Sequence, residues 1–557
     1  MEFAEFARVC EQLEGLSGRL EMRDLLASLL PGLDDVELPV FVRFVQGRVF
    51  PDWSAEKLGI GPNLLYEAVA YVAGRKKADV VRLVNETGDP GVAVERLLAH
   101  RQQSSFFSES MTLAEVHALL VRVASTAGPQ SQQAKMRLLR QGFGSMTPVE
   151  ARYFARLVLA ELRIGIGEGT VRDAIALASG VDPALVEHAQ QVKNDLGEVA
   201  LLAREGPEAL GAVSIVPFRP VRLMLAQQGT IAQQLADFGP VAVEYKYDGS
   251  RIQFHRSGGI GRCWSRRLEE VTHALPEVVE ALLGATRTDV ILDAEVVAVG
   301  PDGRPLPFQT VLRRFRRKHG VAEAREAIAL VPRVFDCLWA GGESLLDRPL
   351  AERRARLEQV LAEHLAPQQV LGDEESVRAV YERALAEGHE GVMLKVPGAP
   401  YTPGARGRAW VKIKPEAETL DLAVVGAGWG EGRRAGTFGT YELAVQDGGR
   451  LLPVGRVATG MTDEDLTTLH ALFRDLVIAE SGASVILEPR VVFEVGYSEI
   501  QASPNYASGY ALRFPRFVRV REDKGIDEVE TLESLIARYR AQATRNGNGG
   551  PRPDPLP

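Results

Sequence analysis

The segment VEYKYDGSRIQFHR, residues 243–256, alternates apolar and polar residues like a half-buried strand and sets a lysine inside it. Lysine is scarce in this chain, with 11 against 54 arginines in 557 residues. Residues two apart on a strand share a face, so Glu244, Lys246 and Asp248 point one way and Val243, Tyr245 and Tyr247 the other. Three charged side chains backed by apolar and aromatic ones suit the wall of a polar site. Gly249 allows a tight turn, and Arg251 follows on the returning segment. An amine in such a setting is a candidate nucleophile once it has lost its proton. Taken alone, the KxDG spacing reads as an exposed edge strand of mixed charge.

Further segments carry matching chemistry. ILDAEVVAV puts Asp293 and Glu295 on one strand face, where carboxylates suit a hard cation or a sugar hydroxyl. EGVMLK supplies Glu390 and Lys395, and WVKIKP supplies Lys412 and Lys414 on one face. RFPRFVRVREDK adds Arg513, Arg516, Arg519, Arg521, Asp523 and Lys524. Five of the 11 lysines (246, 395, 412, 414 and 524) fall inside these short stretches, which scattered surface charge does not explain. In RIGIGEGTVRDAIALA, Arg163 precedes Gly165, Gly167 and Gly169, with Thr170 as a possible cap for the helix that follows. Backbone amides of such a turn seat phosphate. A plain helix end followed by a helix start gives the same pattern. The basic run LRRFRRKH, residues 312–319, is a second candidate contact for an anion, or a solvated helix face.

These residues need elements to hold them. Residues 1–212 read as an all-helical domain: in TPVEARYFARLVLAEL, Thr147 caps, Pro148 takes the first helical position and Glu150 completes a capping box. Phe154, Leu157 and Val158 then form an apolar stripe, as do positions in FAEFARVCEQLEGL and TLAEVHALLVRVAS. VPFRPVRLMLAQ, with Pro217 and Pro220, reads as a linker. Residues 213–418 read as mixed α/β. Residues 419–540, with LDLAVVGAG, TYELAVQ, LLPVGRVA and RVVFEVGY, read as a small β-barrel. Residues 541–557, rich in Gly, Pro and Asn, are expected to be disordered.

Composition narrows the class. The start MEFAEFARVCEQ has no basic stretch leading into an apolar run, and no window approaches a membrane span of about 18 apolar residues, so a soluble cytoplasmic protein is expected, nucleoid-associated if prokaryotic. Cys10, Cys263 and Cys337 lie far apart, which argues against a disulfide framework or structural zinc. A net charge of −9 does not exclude nucleic acid, because phosphate contacts depend on local basic surface.

Taken in order, the stretches resemble the nucleotidyltransferase motifs of ATP-dependent DNA ligases of the three-domain type found in archaea, eukaryotes and some bacteria. They are KxDG (Lys246 to Gly249), Ser265–Arg266, Glu295, Phe335–Asp336, EGVMLK, WVKIKP and the RxDK of Arg521 to Lys524. Two positions depart from the family pattern: Leu223 stands where proline is common, and Arg267 where a small or polar residue is usual.

The resemblance implies a helical DNA-binding domain, an adenylation domain and an OB-fold barrel closing around nicked double-stranded DNA. It implies ATP and Mg²⁺ as cofactors and a Lys246–AMP intermediate. AMP would pass to the 5′-phosphate at the nick and be displaced by the 3′-hydroxyl. Glu244 would read the adenine amino group and Phe335 stack on the base. Arg251, Arg266 and Glu295 would lie near the ribose, with Arg406, Lys412 and Lys414 near the phosphates. Glu295 and Glu390 would hold the metal, and Arg521, Asp523 and Lys524 would swing in to orient pyrophosphate. The loop of Arg163, Gly165, Gly167 and Gly169 would touch DNA. A lysine amine in water, with a pKa near 10.4, is only about one part in a thousand neutral at pH 7.4. The cations of Lys412, Lys414 and the metal are the expected means of releasing its proton. A monomer serving replication, repair or recombination is expected, with sliding-clamp or repair partners left open. An RNA ligase or a capping nucleotidyltransferase is the alternative, since both use the same lysine chemistry.

Overall fold

The computed structural model describes the chain except for residues 100–110, 307, 316–324, 326–327, 416–417, 431–435, 483 and 546–557. Half of LRRFRRKH, residues 316–319, therefore lies outside the described residues. Within its described part, Arg314 is buried and ion-paired with Glu277, so it is neutralised inside the fold.

Up to residue 211 the described residues form thirteen α-helices, α1 (Phe3–Gly15) to α13 (Pro207–Gly211), around one apolar core. Local signals set their ends. At α9 (Pro148–Val158), Thr147 Oγ1 accepts from the Glu150 amide at 3.3 Å while the Glu150 carboxylate accepts from the Thr147 amide at 2.8 Å. This is the reciprocal box expected. Phe154, Leu157 and Val158 are buried, with the Phe154 ring 5.0 Å from Phe143. For α10 (Glu168–Ser179) the expected cap is corrected. Gly167 takes the cap position, without a side-chain bond, and Thr170 lies buried inside the first turn.

The segment after α13 is fastened to the next domain. Phe218 donates its amide to His255 Nδ1 at 2.8 Å, and Gln253 accepts from the Val221 amide at 3.0 Å and donates to its carbonyl at 3.2 Å. Burial pushes His255 down to about 3, which keeps the ring neutral and able to accept.

The central region holds two five-stranded sheets. One runs β1 (Leu225–Gln228), β10 (Arg406–Ile413), β9 (Gly391–Lys395), β2 (Val241–Lys246), β8 (Gln368–Leu371). The other runs β4 (Ile260–Ser265), β3 (Ser250–Ser257), β5 (Val290–Val299), β6 (Ala329–Ala340), β7 (Glu343–Ser344). β5 is almost wholly buried, which is why it reads as a near-continuous apolar run broken only by its two carboxylates.

Beyond residue 418 the chain is β-rich. The strand β11 (Glu418–Trp429) pairs with β12 (Phe438–Asp447) on one side and, along successive halves, with β16 (Val492–Tyr497) and β15 (Ser484–Leu487) on the other. β12 continues to β13 (Arg450–Val457), and β16 to β19 (Arg516–Val520). A central strand that changes partner halfway curls the sheet around the cluster of Leu422, Tyr441, Phe473 and Phe493. The hairpin of β17 (Glu499–Ala502) and β18 (Tyr510–Arg513) projects from it. A last helix spans Leu532–Arg545, so the first five residues of the expected disordered tail are helical.

Candidate active site

Strand register builds the site. On the first sheet, Lys246 pairs with Gly391, Glu244 with Met393 and Ala242 with Lys395. Across β9, Met393 pairs with Lys412 and Lys395 with Trp410. Directly opposed residues share a face, so Glu244, Lys246, Lys395, Trp410 and Lys412 all project to one side. The second sheet meets that side. The Lys395 ammonium lies 4.4 Å from the centre of the Phe335 ring of β6 and 4.3 Å from that of Trp410.

Glu244 and Lys395 form an ion pair of 2.7 Å at 3% and 1% side-chain exposure, and Gln368 Nε2 donates to Glu244 at 2.6 Å. Glu244 is ion-paired and hydrogen-bonded, and Lys395 is ion-paired and set against two ring faces, so both charges tolerate burial. Arg251 lies in the same cleft, but its guanidinium is engaged. It forks onto Asp293 at 2.9 and 2.5 Å and donates to the Met224 carbonyl at 2.6 Å. Tyr401 closes that network by donating to Asp293 at 2.8 Å. Asp293 is thus committed to Arg251, whereas the sequence left it free for a cation.

Lys246 ends β2, and its ammonium is hydrogen-bonded and ion-paired to Glu390. The Glu390 amide donates to the Lys246 carbonyl at 2.9 Å, tying EGVMLK to KxDG through backbone as well as side chain. Gly249 has a different role from the tight turn expected. Its φ is not left-handed, but a Cβ there would sit 2.4 Å from the Val296 carbonyl oxygen and 2.9 Å from Glu295 Cγ. The missing side chain lets the loop press against β5 and brings Glu295 near Lys246.

Glu390 and Glu295 then face the amine, and Asp248 adjoins Glu390. Glu295 is pushed up to about 8, first by burial and further by Asp293 and Glu390, against the pull of Lys246 and Arg251. Asp248 is pushed up to about 7, first by burial and then by Glu390, with which it shares a hydrogen bond. For Glu390 burial acts upward, but Lys246, Asp248 and Arg513 hold it below its usual range. Lys412 is lowered by burial and then by Lys414, Lys246 and Arg406, so these cations feel one another. An amine, crowded carboxylates and a cationic strand face are groups that suit transfer of a nucleotidyl group.

Comparison with known proteins agrees. The sequence matches the ATP dependent DNA ligase domain over residues 223–414, the DNA ligase N terminus over 2–176 and the ATP dependent DNA ligase C terminal region over 434–524. A protein named DNA ligase from Methanoculleus marisnigri is 64% identical over 549 residues, 99% of this chain and 100% of that one. One from Methanosphaerula palustris is 62% identical, covering 99% of each. The chain belongs to the ATP-dependent DNA ligase family. A solved structure titled Pmar-Lig_PreS3 shares the fold, with TM-score 0.60 and 17% identity over 93% of this chain and 99% of that one.

Members of this ligase family seal nicks in DNA with ATP, and Mg²⁺ is their usual divalent cation. The site fits such an ion. Glu390 raises the pKa of both Glu295 and Asp248, a crowding of acidic groups that a divalent charge would relieve. Among the described residues no group of three or more His, Cys, Asp or Glu side chains could cage a metal alone. That suits Mg²⁺, which keeps waters and shares substrate phosphates.

Other ligase motif residues lie further out. Arg406 opens β10 and is exposed, and Lys414 follows its end. Arg266 is exposed just past Ser265, which pairs with Ile252 beside Arg251. Arg521 and Lys524 are bound to Asp421 of β11, so the RxDK segment is not gathered with Lys246. The barrel instead approaches the cleft through Arg513, 3.8 Å from Asp248 and 3.1 Å from Glu499. Arg163 is exposed with a left-handed φ and donates to the Gly88 carbonyl at 2.8 Å. Beside it, Gly165 has φ +73°, Gly167 caps α10, and a Cβ on Gly169 would lie 3.1 Å from Arg19.

Sequence reasoning missed Gln368, Tyr401, Asp421 and His389, whose ring lies 4.9 Å from Tyr245 and 5.1 Å from Tyr247. Only His389 had a visible cue, its place next to Glu390.

No helix among the described residues is long and apolar enough to cross a membrane.

Proposed function

We propose that Lys246 is the nucleophile that accepts AMP in nick sealing by this chain. The observation that carries the reading is the placement of its amine between Glu390 and Glu295, at the end of a strand face bearing Lys412. The Nζ–P bond forms as the α–β phosphoanhydride of ATP breaks. Pyrophosphate leaves, and the ammonium's protons go to solvent before and after attack. The 5′-phosphate at the nick then takes AMP from Lys246, and the 3′-hydroxyl displaces AMP to close the strand. Glu390 and Glu295 would hold Mg²⁺, which offsets charge on the phosphates. Phe335 and Trp410 wall the base, Glu244 meets its amino group, and Arg251 and Tyr401 brace the cleft. Arg266 faces the ribose side, Arg406, Lys412 and Lys414 take the phosphates, and Arg521, Asp523 and Lys524 act on the pyrophosphate side after a movement of the barrel. The loop from Arg163 to Gly169 contacts the duplex backbone.

The test is incubation with α-labelled ATP. Wild type should carry label that follows the protein through denaturation, and Lys246→Ala none. Label retained on Lys246→Ala removes this residue from the role. The same preparation, given nicked DNA or nicked RNA with ATP, GTP or NAD, separates DNA sealing from RNA-ligase or capping chemistry. Only DNA with ATP is expected to be closed.

A further inference from the structure

Asp421 lies near the start of β11, on the barrel. It accepts from Arg521 Nη1 through both oxygens, at 2.8 and 2.9 Å, and from Lys524 Nζ at 2.7 Å. The other edge of the Arg521 guanidinium donates to Asp523 at 2.8 and 2.7 Å. Backbone bonds fix both partners: the Arg521 amide donates to Val492 at 2.8 Å and the Glu530 amide to the Asp421 carbonyl at 2.8 Å. Arg521 and Asp421 are only 14% and 17% exposed. Two cations and two anions thus make a neutral cluster within one domain, while Arg513 of the barrel reaches the cleft.

We propose that Asp421 is a positioning residue that competes with nucleotide polyphosphate for Arg521 and Lys524. The proposal rests on the reading that these two cations act on the pyrophosphate side. A phosphate oxygen can take Arg521 Nη1, or the Lys524 donor turned toward Asp421, only as Asp421 releases it, so each such charge-assisted bond gained is offset by one lost. Asp421 therefore weakens the hold on ATP and on the departing pyrophosphate, and gives the two side chains a partner when the barrel turns away. In its absence the cluster carries a net positive charge and grips polyphosphate more tightly.

The experiment follows single-turnover formation of the covalent adenylate on the full chain across an ATP series, for wild type, Asp421→Asn, Asp421→Ser and Arg521→Ala. Closure of a pre-adenylated nicked duplex without ATP is measured in parallel. Both Asp421 variants should reach half-saturation at roughly three- to ten-fold lower ATP, the effect of about one charge-assisted hydrogen bond partly retained. Their limiting adenylation rate and their closure of the pre-adenylated nick should stay within about two-fold of wild type, since phosphate binding and not chemistry is altered. An unchanged or raised half-saturating ATP overturns the proposal. So does parallel loss of both reactions, which would make Asp421 purely structural. Arg521→Ala separates the two levels. If it leaves adenylation intact, the reading of RxDK fails. If it impairs adenylation while the Asp421 variants behave as wild type, only the competition fails.

Discussion

At the scale of single residues, the unusual feature is a set of carboxyls held against their ordinary tendency to ionise. Glu295, pushed up to about 8 chiefly by burial, and Asp248, pushed up to about 7 by burial and Glu390, each bind an extra proton on folding. A carboxyl whose folded pKa exceeds its unfolded value near 4.3 stabilises the fold fully below that value, and the contribution is lost as pH rises through the folded pKa. Glu390 is held low, so its contribution is lost only on the acid side and does not offset the trend. Buried His255, held down to about 3, works the other way below about pH 6.5, so without nucleotide or divalent cation the melting temperature should fall between about pH 7 and about pH 8.5. Glu295→Gln should flatten that fall and abolish adenylation. Calorimetry across the pH series decides it, and an equal slope in the variant contradicts the assignment. Protons compete with a cation for the same oxygens, so the Mg²⁺ needed for half-maximal adenylation should drop as pH rises toward 8.

At the scale of elements, glycines decide how closely the strands around Lys246 approach. A Cβ on Gly249 would meet the Val296 carbonyl oxygen at 2.4 Å, and one on Gly391 the Ile413 carbonyl oxygen at 2.2 Å, with φ there at +137°. Neither obstacle is a flexible side-chain tip. Gly249→Ala should therefore cost about 1–3 kcal/mol of stability, as overpacking does, and slow adenylation by moving Glu295. Gly391→Ala should cost more, because strain adds to contact. Chemical denaturation measures both, and a Gly249→Ala protein of unchanged stability and rate contradicts the close-approach account. The same elements show what could be read from sequence. Period-two alternation placed Lys246 and Glu244 on one face of β2, and the capping box of Thr147 and Glu150 located α9, because both patterns are local. Tyr401, Gln368 and Asp421 were not legible: each acts on a residue 100 or more positions away, as in the Tyr401–Asp293 and Lys524–Asp421 bonds. Only the tertiary fold brings such partners together, and one sequence does not state which distant segments meet. Motif spacing likewise placed Arg521 and Lys524 with the site, but not their attachment to the barrel.

At the scale of the molecule, the proposed sealing has the helical third present a duplex to Lys246 held in another domain, so on that reading the junction between them carries function. Arg222, in the linker, donates to Glu168 at the start of α10 at 2.9 and 2.8 Å and to Asp52 at 2.7 Å. It also packs against the loop at Gly404 beside β10. Burial alone would raise Glu168, yet Arg222 holds it below its ordinary range. The pair therefore contributes above that range and is lost as pH falls through the lowered pKa. Removing Arg222 leaves two part-buried carboxylates facing each other, a loss of about 1–3 kcal/mol at the junction. Arg219 of the linker also pairs with Glu198, whereas the bridge of Lys57 to Glu269 at 2.5 Å joins side chains 66% and 51% exposed, and solvent leaves such pairs with little worth. Arg222→Ala should thus keep self-adenylation within about two-fold, since no adenylation contact is touched. It should slow closure of nicked DNA by roughly ten-fold or more, the effect of misplacing a bound substrate, and speed proteolysis within residues 213–222. Lys57→Ala should leave both reactions near wild type. Equal loss of adenylation and sealing in Arg222→Ala would show that the residue serves the cleft itself and that the junction does not govern delivery of the nick.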